Sequence, residues 1–328
     1  MKKVRLHYLD VAKGILMTCL LFHHCANIMG EVKIQAELIE HVSAWNIIFL
    51  VFFMQAFFTI TGYCTNFDKE FKTYFITNIK TLVVPAIFFT FIQKAIGGFE
   101  DFYGLQTIFK YIFDNISVWF LWALFYSKII YWYVRKMPYK GLIMLSLLCI
   151  GGLMKIHIGS TPCFIENTFL CAFFLWIGEK LKQVPTVKCY TIVSLIFFIT
   201  LSVLLTMDMN MPIVTAGISI ETHLDILLYV WLSTTGTMAI LLVSKFINKN
   251  DFLELIGRHT LVIYGFQAVV LRTVLKGVSA THLFAFDTKA GVLLLYIIVS
   301  IGCLLLCLGI SLLLNNWYVT RLLIGKNK

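Results

Sequence analysis

The chain has 328 residues, of which 59% are hydrophobic and 13% are charged, with a mean hydropathy of +0.86 and a formal net charge of +10. Soluble domains carry about 25% charged and roughly 45–50% apolar residues, so this composition excludes a water-soluble protein and predicts a membrane protein. The basic excess does not indicate nucleic acid binding, because cytoplasmic loops of membrane proteins are enriched in lysine and arginine.

The first apolar segment, residues 8–27, carries four ionisable side chains: Asp10, Lys13, His23 and His24. On a helix, Lys13 and His24 lie about 20° apart around the axis and about 16 Å apart along it, with Asp10 about 40° from His24. Ionisable groups in a span persist mainly where they face a bundle interior or take part in chemistry. The alternatives to a chemical role are a mutual ion pair for Asp10 and Lys13, and a hydrogen bond to a neighbouring helix for His24. His23 points about 100° away from His24 and is interpreted as structural.

Ten apolar segments follow one another along the chain and predict an all-α transmembrane bundle of about ten spans. They cover residues 11–29, 45–64, 80–97, 116–134, 140–157, 163–181, 189–207, 225–246, 255–276 and 291–314. Lysine and arginine are concentrated on one side of the predicted topology, which places both termini in the cytoplasm. The loops leave no room for a soluble domain, so we expect a single membrane domain over 1–328.

Five motifs occur in order along the chain. They are YLDVAKGI followed by His24, FFTITGY at 57–63, KTLVVP at 80–85, WFLWALF at 119–125 and IGRHTLVIY at 256–264. Together they resemble the integral-membrane acyltransferase-3 family, and most closely its fucose 4-O-acetylase-like branch. The chain departs from that branch at Phe53 and Gln55, where a His-Met-Pro often stands, at Lys80, where many relatives have two arginines, and at Gln267, where a histidine often stands.

The resemblance implies an enzyme that moves an acyl group, most simply acetyl, from cytosolic acetyl-CoA to a hydroxyl of a sugar in an exported glycan or a lipid-linked precursor. Such a transfer needs a base for the hydroxyl proton and a group that stabilises the oxyanion. We expect His24 to be the base, Asp10 to balance charge at the cytoplasmic entrance, and Lys13 to bind the donor or to face the oxyanion.

Four further residues are candidates for donor or substrate binding, each with a simpler alternative. The alternatives are tight helix packing for Tyr63, an interfacial aromatic belt for Trp119, and the positive-inside bias for Lys80 and Arg258.

No metal site is expected, because the polar group at 221–225 has no second cluster of ligands to complete a site. The nine cysteines are interpreted as small apolar packing residues. The expected partners are acyl-CoA, a glycan acceptor and the lipid bilayer of the inner membrane, with no nucleic acid and no permanently bound cofactor. The sequence leaves open whether the protein forms a homo-oligomer. The rival interpretation is a transporter or flippase of a glycan-linked or small anionic substrate.

Overall fold

The computed structural model describes residues 5–31, 50–97, 105–183, 187–206, 220–281 and 289–325. Within these ranges every regular element is a helix and no strand occurs, which confirms the all-α prediction for this part of the chain. The α-helices are, in order, α1 (His7–Glu31), α2 (Phe53–Cys64), α3 (Phe71–Asn78), α4 (Val84–Gly97), α5 (Leu105–Phe113), α6 (Trp119–Val134), α7 (Lys140–His157), α8 (Ile165–Leu181), α9 (Val187–Thr206), α10 (His223–Ile247), α11 (Asp251–Thr281), α12 (Lys289–Leu314) and α13 (Tyr318–Leu323).

Three short helical turns of other types occur between these α-helices. A π-helical turn at Ile79–Val83 joins α3 to α4, and 3₁₀ turns at Ile116–Val118 and Pro162–Phe164 precede α6 and α8. The π turn lies just before Pro85, whose ring nitrogen carries no hydrogen and so cannot donate an ordinary helical hydrogen bond. Because of this turn, α3 and α4 form one apolar stretch over Phe71–Ile96.

Each of the ten predicted apolar segments overlaps a helix, although residues 45–49 of the second segment lie outside the described ranges. Among the described residues, seven helices are long and apolar enough to cross a membrane. The segments that fall short of this criterion contain α2, α8 and α9. A membrane protein is therefore supported, whereas the number of ten spans stays a prediction.

The first compact unit contains α1, α11 and α12. Helices α1 and α11 run parallel, since Gly14 packs against Leu253 near their N-terminal ends and Glu31 lies 3.6 Å from Arg272 near their C-terminal ends. Helices separated by more than 200 residues in sequence therefore start at the same end of this unit.

Helix α12 runs antiparallel to this pair. Near its C-terminal end, the Ser311 hydroxyl lies 2.7 Å from Nδ1 of His259 at the start of α11. Near its N-terminal end, the Tyr296 hydroxyl donates a 3.1 Å hydrogen bond to the carbonyl of Phe22 in α1. These contacts place α12 against one side of both helices.

The second compact unit contains α2 to α10. Helices α2 and α8 run parallel, since Nζ of Lys182 just after α8 donates to the carbonyl of Thr65 just after α2 at 2.9 Å, and they cross closely at two glycines. A Cβ added to Gly62 would lie 2.2 Å from the carbonyl oxygen of Leu175, and one added to Gly178 would lie 2.0 Å from that of Thr59. The contact at Gly62 confirms tight helix packing in the FFTITGY motif.

Candidate active site

The closest approach in the first unit is the crossing of α1 and α11, and glycine makes it possible. A Cβ on Gly14 would lie 2.1 Å from the carbonyl oxygen of Leu253, and a Cβ on Gly257 would lie 1.9 Å from that of Asp10. Real Cβ atoms do not approach that closely, so larger residues would force the helices apart. The crossing brings the polar start of α1 against the polar start of α11.

Asp10 lies in the first turn of α1 and is 8% exposed. Its Oδ2 accepts hydrogen bonds from Nε and Nη2 of Arg5 at 2.8 and 2.6 Å, and its Oδ1 accepts one from Nζ of Lys13 at 3.1 Å. The Asp10–Lys13 pair that the sequence allowed is therefore present. Arg5 is a third member that the sequence analysis did not single out.

Glu254 is the second buried carboxylate at this end, with a side chain 3% exposed. Both of its oxygens lie 2.9 Å from Nδ1 of His7, and Oε2 lies 3.9 Å from Nη2 of Arg258. Arg258 also donates from Nε to the Glu254 carbonyl at 3.2 Å. The predicted residue Arg258 thus shares one end of the unit with Asp10 and Lys13.

We call these six side chains the entrance cluster. Its members are Arg5, His7, Asp10, Lys13, Glu254 and Arg258. Three permanent cations face two carboxylates, so the cluster keeps an excess of positive charge even with a neutral histidine. Such an arrangement attracts anions to this end of the unit.

His24 lies on α1 about 16 Å along the axis from Lys13 and is half-buried. Its imidazole makes no hydrogen bond to any residue that the structure describes. The guanidinium of Arg272 on α11 is near enough to act on it electrostatically. Arg272 also forms an ion pair with Glu31 at 3.6 Å, and both of these side chains are more than half exposed.

The neighbouring His23 differs in its surroundings. Its Nε2 lies 2.9 Å from Nδ2 of Asn27, one turn further along α1, and its ring centroid lies 5.4 Å from that of His24. A histidine that is already hydrogen-bonded within its own helix is less available for proton transfer. The local geometry is therefore compatible with the sequence-based preference for His24.

The catalytic candidates share one side of the α1–α11 pair. On α1, Lys13 and His24 lie about 160–180° around the axis from Phe22, which contacts α12. On α11, Arg258 and Arg272 are fourteen residues apart, hence only about 40° apart around the axis. They lie about 100° and 140° around the axis from His259, which contacts α12, so all four side chains lie away from the contacts with α12.

The remaining candidates belong to the second unit. Tyr63 is half-buried at the end of α2, and Lys80 is exposed in the π turn. Trp119 is only 6% exposed at the start of α6, with its ring against Phe120 and Phe164. This burial does not fit an exposed aromatic belt, and it leaves little of the ring free for stacking against a sugar.

The polar group at 221–225 has a structural role at the start of α10. Oδ2 of Asp225 accepts hydrogen bonds from the backbone N–H groups of Glu221 and Thr222 at 2.9 and 2.7 Å. Within the described ranges, no three histidine, cysteine or acidic side chains cluster as metal ligands would.

Glu254 and Arg272 were not predicted as parts of the site. Both are ionisable residues in the long apolar helix α11 (Asp251–Thr281), a signal that could have identified them. Their partners on α1, His7 and Glu31, lie more than 200 residues away in sequence, and no local pattern reveals such a pairing.

A protein-family model matches most of the chain. The family model described as "Acyltransferase domain" matches residues 6–312, a range that runs through both compact units. No curated protein and no solved structure matches the chain significantly. The chain belongs to the acyltransferase-3 family of membrane acyltransferases.

Proposed function

We propose that this membrane acyltransferase is an O-acetyltransferase that moves the acetyl group of cytosolic acetyl-CoA to a sugar hydroxyl of an exported glycan or a lipid-linked precursor. The observation that carries the proposal is the position of His24. It lacks a hydrogen bond to any described residue and shares one helix side with Lys13, Arg258 and Arg272.

In the proposed reaction, His24 accepts the proton of the sugar hydroxyl while the hydroxyl oxygen attacks the thioester carbonyl. The C–O bond forms, the C–S bond breaks, and the proton passes to the departing thiolate, so that the products are an ester and free coenzyme A. Arg272 stabilises the negative charge on the carbonyl oxygen during this step. An acetyl-histidine intermediate would use the same residues in two steps.

The entrance cluster is the proposed site for the coenzyme phosphates. Lys13 and Arg258 supply positive charge, and Asp10 positions Lys13 through their ion pair. The pantetheine arm of the coenzyme is long enough in principle to reach from there to His24, about 16 Å along α1. Lys80, an exposed cation in the second unit, stays a separate candidate for donor or substrate binding.

Tyr63 stays a proposed substrate contact, supported by its half-buried ring beside the closely packed Gly62. Trp119 is retained only as a packing residue, because its ring is almost fully buried against Phe120 and Phe164. The fucose 4-O-acetylase-like branch, and with it a role in polysaccharide modification, belongs to the proposal and rests on motif resemblance.

The proposed location is the inner membrane with both termini in the cytoplasm. The distribution of lysine and arginine along the chain supports this topology. The parallel course of α1 and α11 agrees with it, since the first and ninth predicted segments would both start on the cytoplasmic side.

The function is tested with membrane vesicles that contain the protein, [¹⁴C]acetyl-CoA and isolated cell-surface glycans. We expect radioactivity in base-labile esters on the glycan and a matching release of free coenzyme A. Vesicles without the protein are the control. Accumulation of glycan or anion inside the vesicles, with no thioester consumed, would instead establish the transporter.

A further inference from the structure

Lys128 is a half-buried lysine within the apolar helix α6 of the second unit, and it takes no part in the site described above. It precedes the end of the helix at Val134 by six residues, hence by about 9 Å along the axis. Lysines within membrane spans are rare, and they either pair with an acid or mark a binding site. Lys155 on α7 shows the first pattern, because its Nζ lies 3.3 Å from Oε1 of Glu166 on α8. Its charge is therefore compensated within the protein.

Lys128 has a like charge beside it instead of an acid. The ionisable group that acts on it electrostatically is Lys69, an exposed residue in the turn between α2 and α3. No carboxylate in the described ranges forms an ion pair with either amine. Arg135, just after α6, binds the carboxylates of Asp68 at 2.9 Å and Glu179 at 3.2 Å. Because like charges repel, two uncompensated amines at one place favour an anion from outside the chain.

Two hydrogen bonds hold the backbones of these lysines in place. Nε1 of Trp132, one turn after Lys128 on α6, donates to the carbonyl of Lys69 at 3.2 Å. The hydroxyl of Tyr74 on α3 donates to the carbonyl of Lys128 at 3.2 Å. Nζ of Lys128 lies 5.7 Å from the centre of the Tyr74 ring, near the outer limit of a cation–π contact. The ring therefore orients this amine but does not neutralise its charge.

An exposed apolar surface adjoins the two lysines. The ring of Phe71 on α3 lies 4.9 Å from that of Trp132 and 5.1 Å from that of Tyr133, measured between centroids. Tyr133 and Ile76 are 47% and 42% exposed, and they belong to two stretches that are long and apolar enough to cross a membrane. Tryptophan and tyrosine rings favour the headgroup level of a bilayer. The neighbouring amines would therefore lie at the level of the lipid phosphates.

We propose that Lys69 and Lys128 bind the phosphate of an anionic phospholipid, whose acyl chains lie against the exposed apolar side chains of α3 and α6. Lys136, just after α6, is a third cation at this end, with its amine 3.2 Å from the centre of the Trp132 ring. The three lysines outnumber Glu70, the exposed carboxylate next to Lys69 in the sequence. In the proposed topology this end is cytoplasmic, where anionic lipids attract basic residues. The site lies wholly in the second unit and does not depend on acetyl transfer.

The site is tested by titrating the full-length protein in detergent with dioleoylphosphatidylglycerol or dioleoylphosphatidylcholine and measuring the bound lipid by native mass spectrometry. The wild type should bind the anionic phosphatidylglycerol more tightly than the zwitterionic phosphatidylcholine. The double variant Lys69→Gln/Lys128→Met should weaken phosphatidylglycerol binding about 10- to 100-fold, as for the loss of hydrogen bonds to charged groups. Its binding of phosphatidylcholine should not change.

Lys72→Gln is the matched control, because Lys72 is an exposed lysine in the first turn of α3. Its loss should weaken phosphatidylglycerol binding no more than about fivefold, the effect of one charge near an anionic surface. An equal effect of the control and the double variant would show a general attraction of the surface and overturn the site. Equal binding of the two lipids by the wild type would overturn it as well.

If the double variant does not fold, Lys69→Gln alone decides, because Lys69 is exposed and its side chain takes no part in helix packing. We expect about tenfold weaker phosphatidylglycerol binding in this variant, and unchanged binding would contradict the proposal. Coenzyme A and inorganic phosphate, each added in excess to the lipid-bound wild type, identify the source of the phosphate. Retention of the lipid supports the assignment, whereas its displacement by either soluble anion would overturn it.

Discussion

Asp10 is held between two cations, and this geometry defines its proposed role. Its carboxylate binds Arg5 at 2.6 Å and Lys13 at 3.1 Å while being largely buried. Asp10→Asn removes the charge that fixes Lys13, so we expect the KM for acetyl-CoA to rise about tenfold while kcat changes less. Asp68→Asn, at an exposed ion pair with Arg135, is the control. An unchanged KM together with a lower unfolding temperature would limit Asp10 to a structural role.

Among the described residues considered for the site, Arg272 is the one cation close enough to the His24 imidazole to act on it electrostatically. If it stabilises the oxyanion, Arg272→Gln should lower kcat about 10²- to 10³-fold, the effect of losing one such group. Arg272→Lys should restore part of this loss because it keeps the charge. Lys276→Gln, an exposed position one turn further on α11, is expected to have no effect on kcat. Full activity in Arg272→Gln would remove Arg272 from the mechanism.

Individual residues were predictable only where their partners are local. The Asp10–Lys13 contact follows from a spacing of three residues on one helix. The contact of Glu254 with His7 and the Lys155–Glu166 pair join different helices, so no spacing rule predicts them, whereas the Glu254–Arg258 contact has the i,i+4 spacing of one helix. Lys155 and Glu166 do lie within predicted apolar segments, and the high cost of ionisable groups there would have justified selecting them.

The helices meet at glycines, and this gives a sharp test of packing. A methyl group on Gly14 would lie 2.1 Å from the Leu253 oxygen, whereas one on Gly309 in α12 meets nothing within 4 Å. Gly14→Ala should therefore destabilise the protein by about 1–3 kcal/mol through overpacking. Gly309→Ala should stabilise it by about 0.5–1 kcal/mol, because alanine favours a helix.

The two effects are measured as thermal unfolding temperatures in the same detergent. Opposite signs for the two variants support the close crossing of α1 and α11. A Gly14→Ala variant as stable as Gly309→Ala would contradict it.

The sequence predicted helices better than it predicted their pairing. Apolar segments located the helices because membrane spans are long and continuous. The π turn before Pro85 was not foreseen, and neither was the long extension of α4 back to Phe71. The helices that pack closely against Gly14 and Gly62 lie far away in sequence, so local composition does not identify them, although tight packing itself was expected in the FFTITGY motif.

The topology of the whole chain can be tested independently of activity. A green fluorescent protein fused to the C-terminus should fluoresce, because that terminus is proposed to be cytoplasmic. Alkaline phosphatase inserted at Ser160, between α7 and α8, should be active, whereas insertion at Asn248, between α10 and α11, should be inactive. The reverse pattern at the two insertion sites would contradict the proposed orientation.

Each compact unit contains its own group of paired charges, with at least one buried carboxylate. The first holds the entrance cluster and His24, and the second holds the Lys155–Glu166 pair. The family model runs through both units, so both belong to one acyltransferase.

The most direct test is acetyl transfer by purified His24→Ala beside purified His23→Ala. The two variants remove neighbouring imidazoles from the same helix, and only His24 has the proposed chemical role. With [¹⁴C]acetyl-CoA and a glycan acceptor, His24→Ala should lose at least about 10²-fold in rate, the usual contribution of a general base. His23→Ala should stay within a few-fold of the wild type. Equal transfer by His24→Ala and the wild type would contradict the assignment of His24 as the catalytic base.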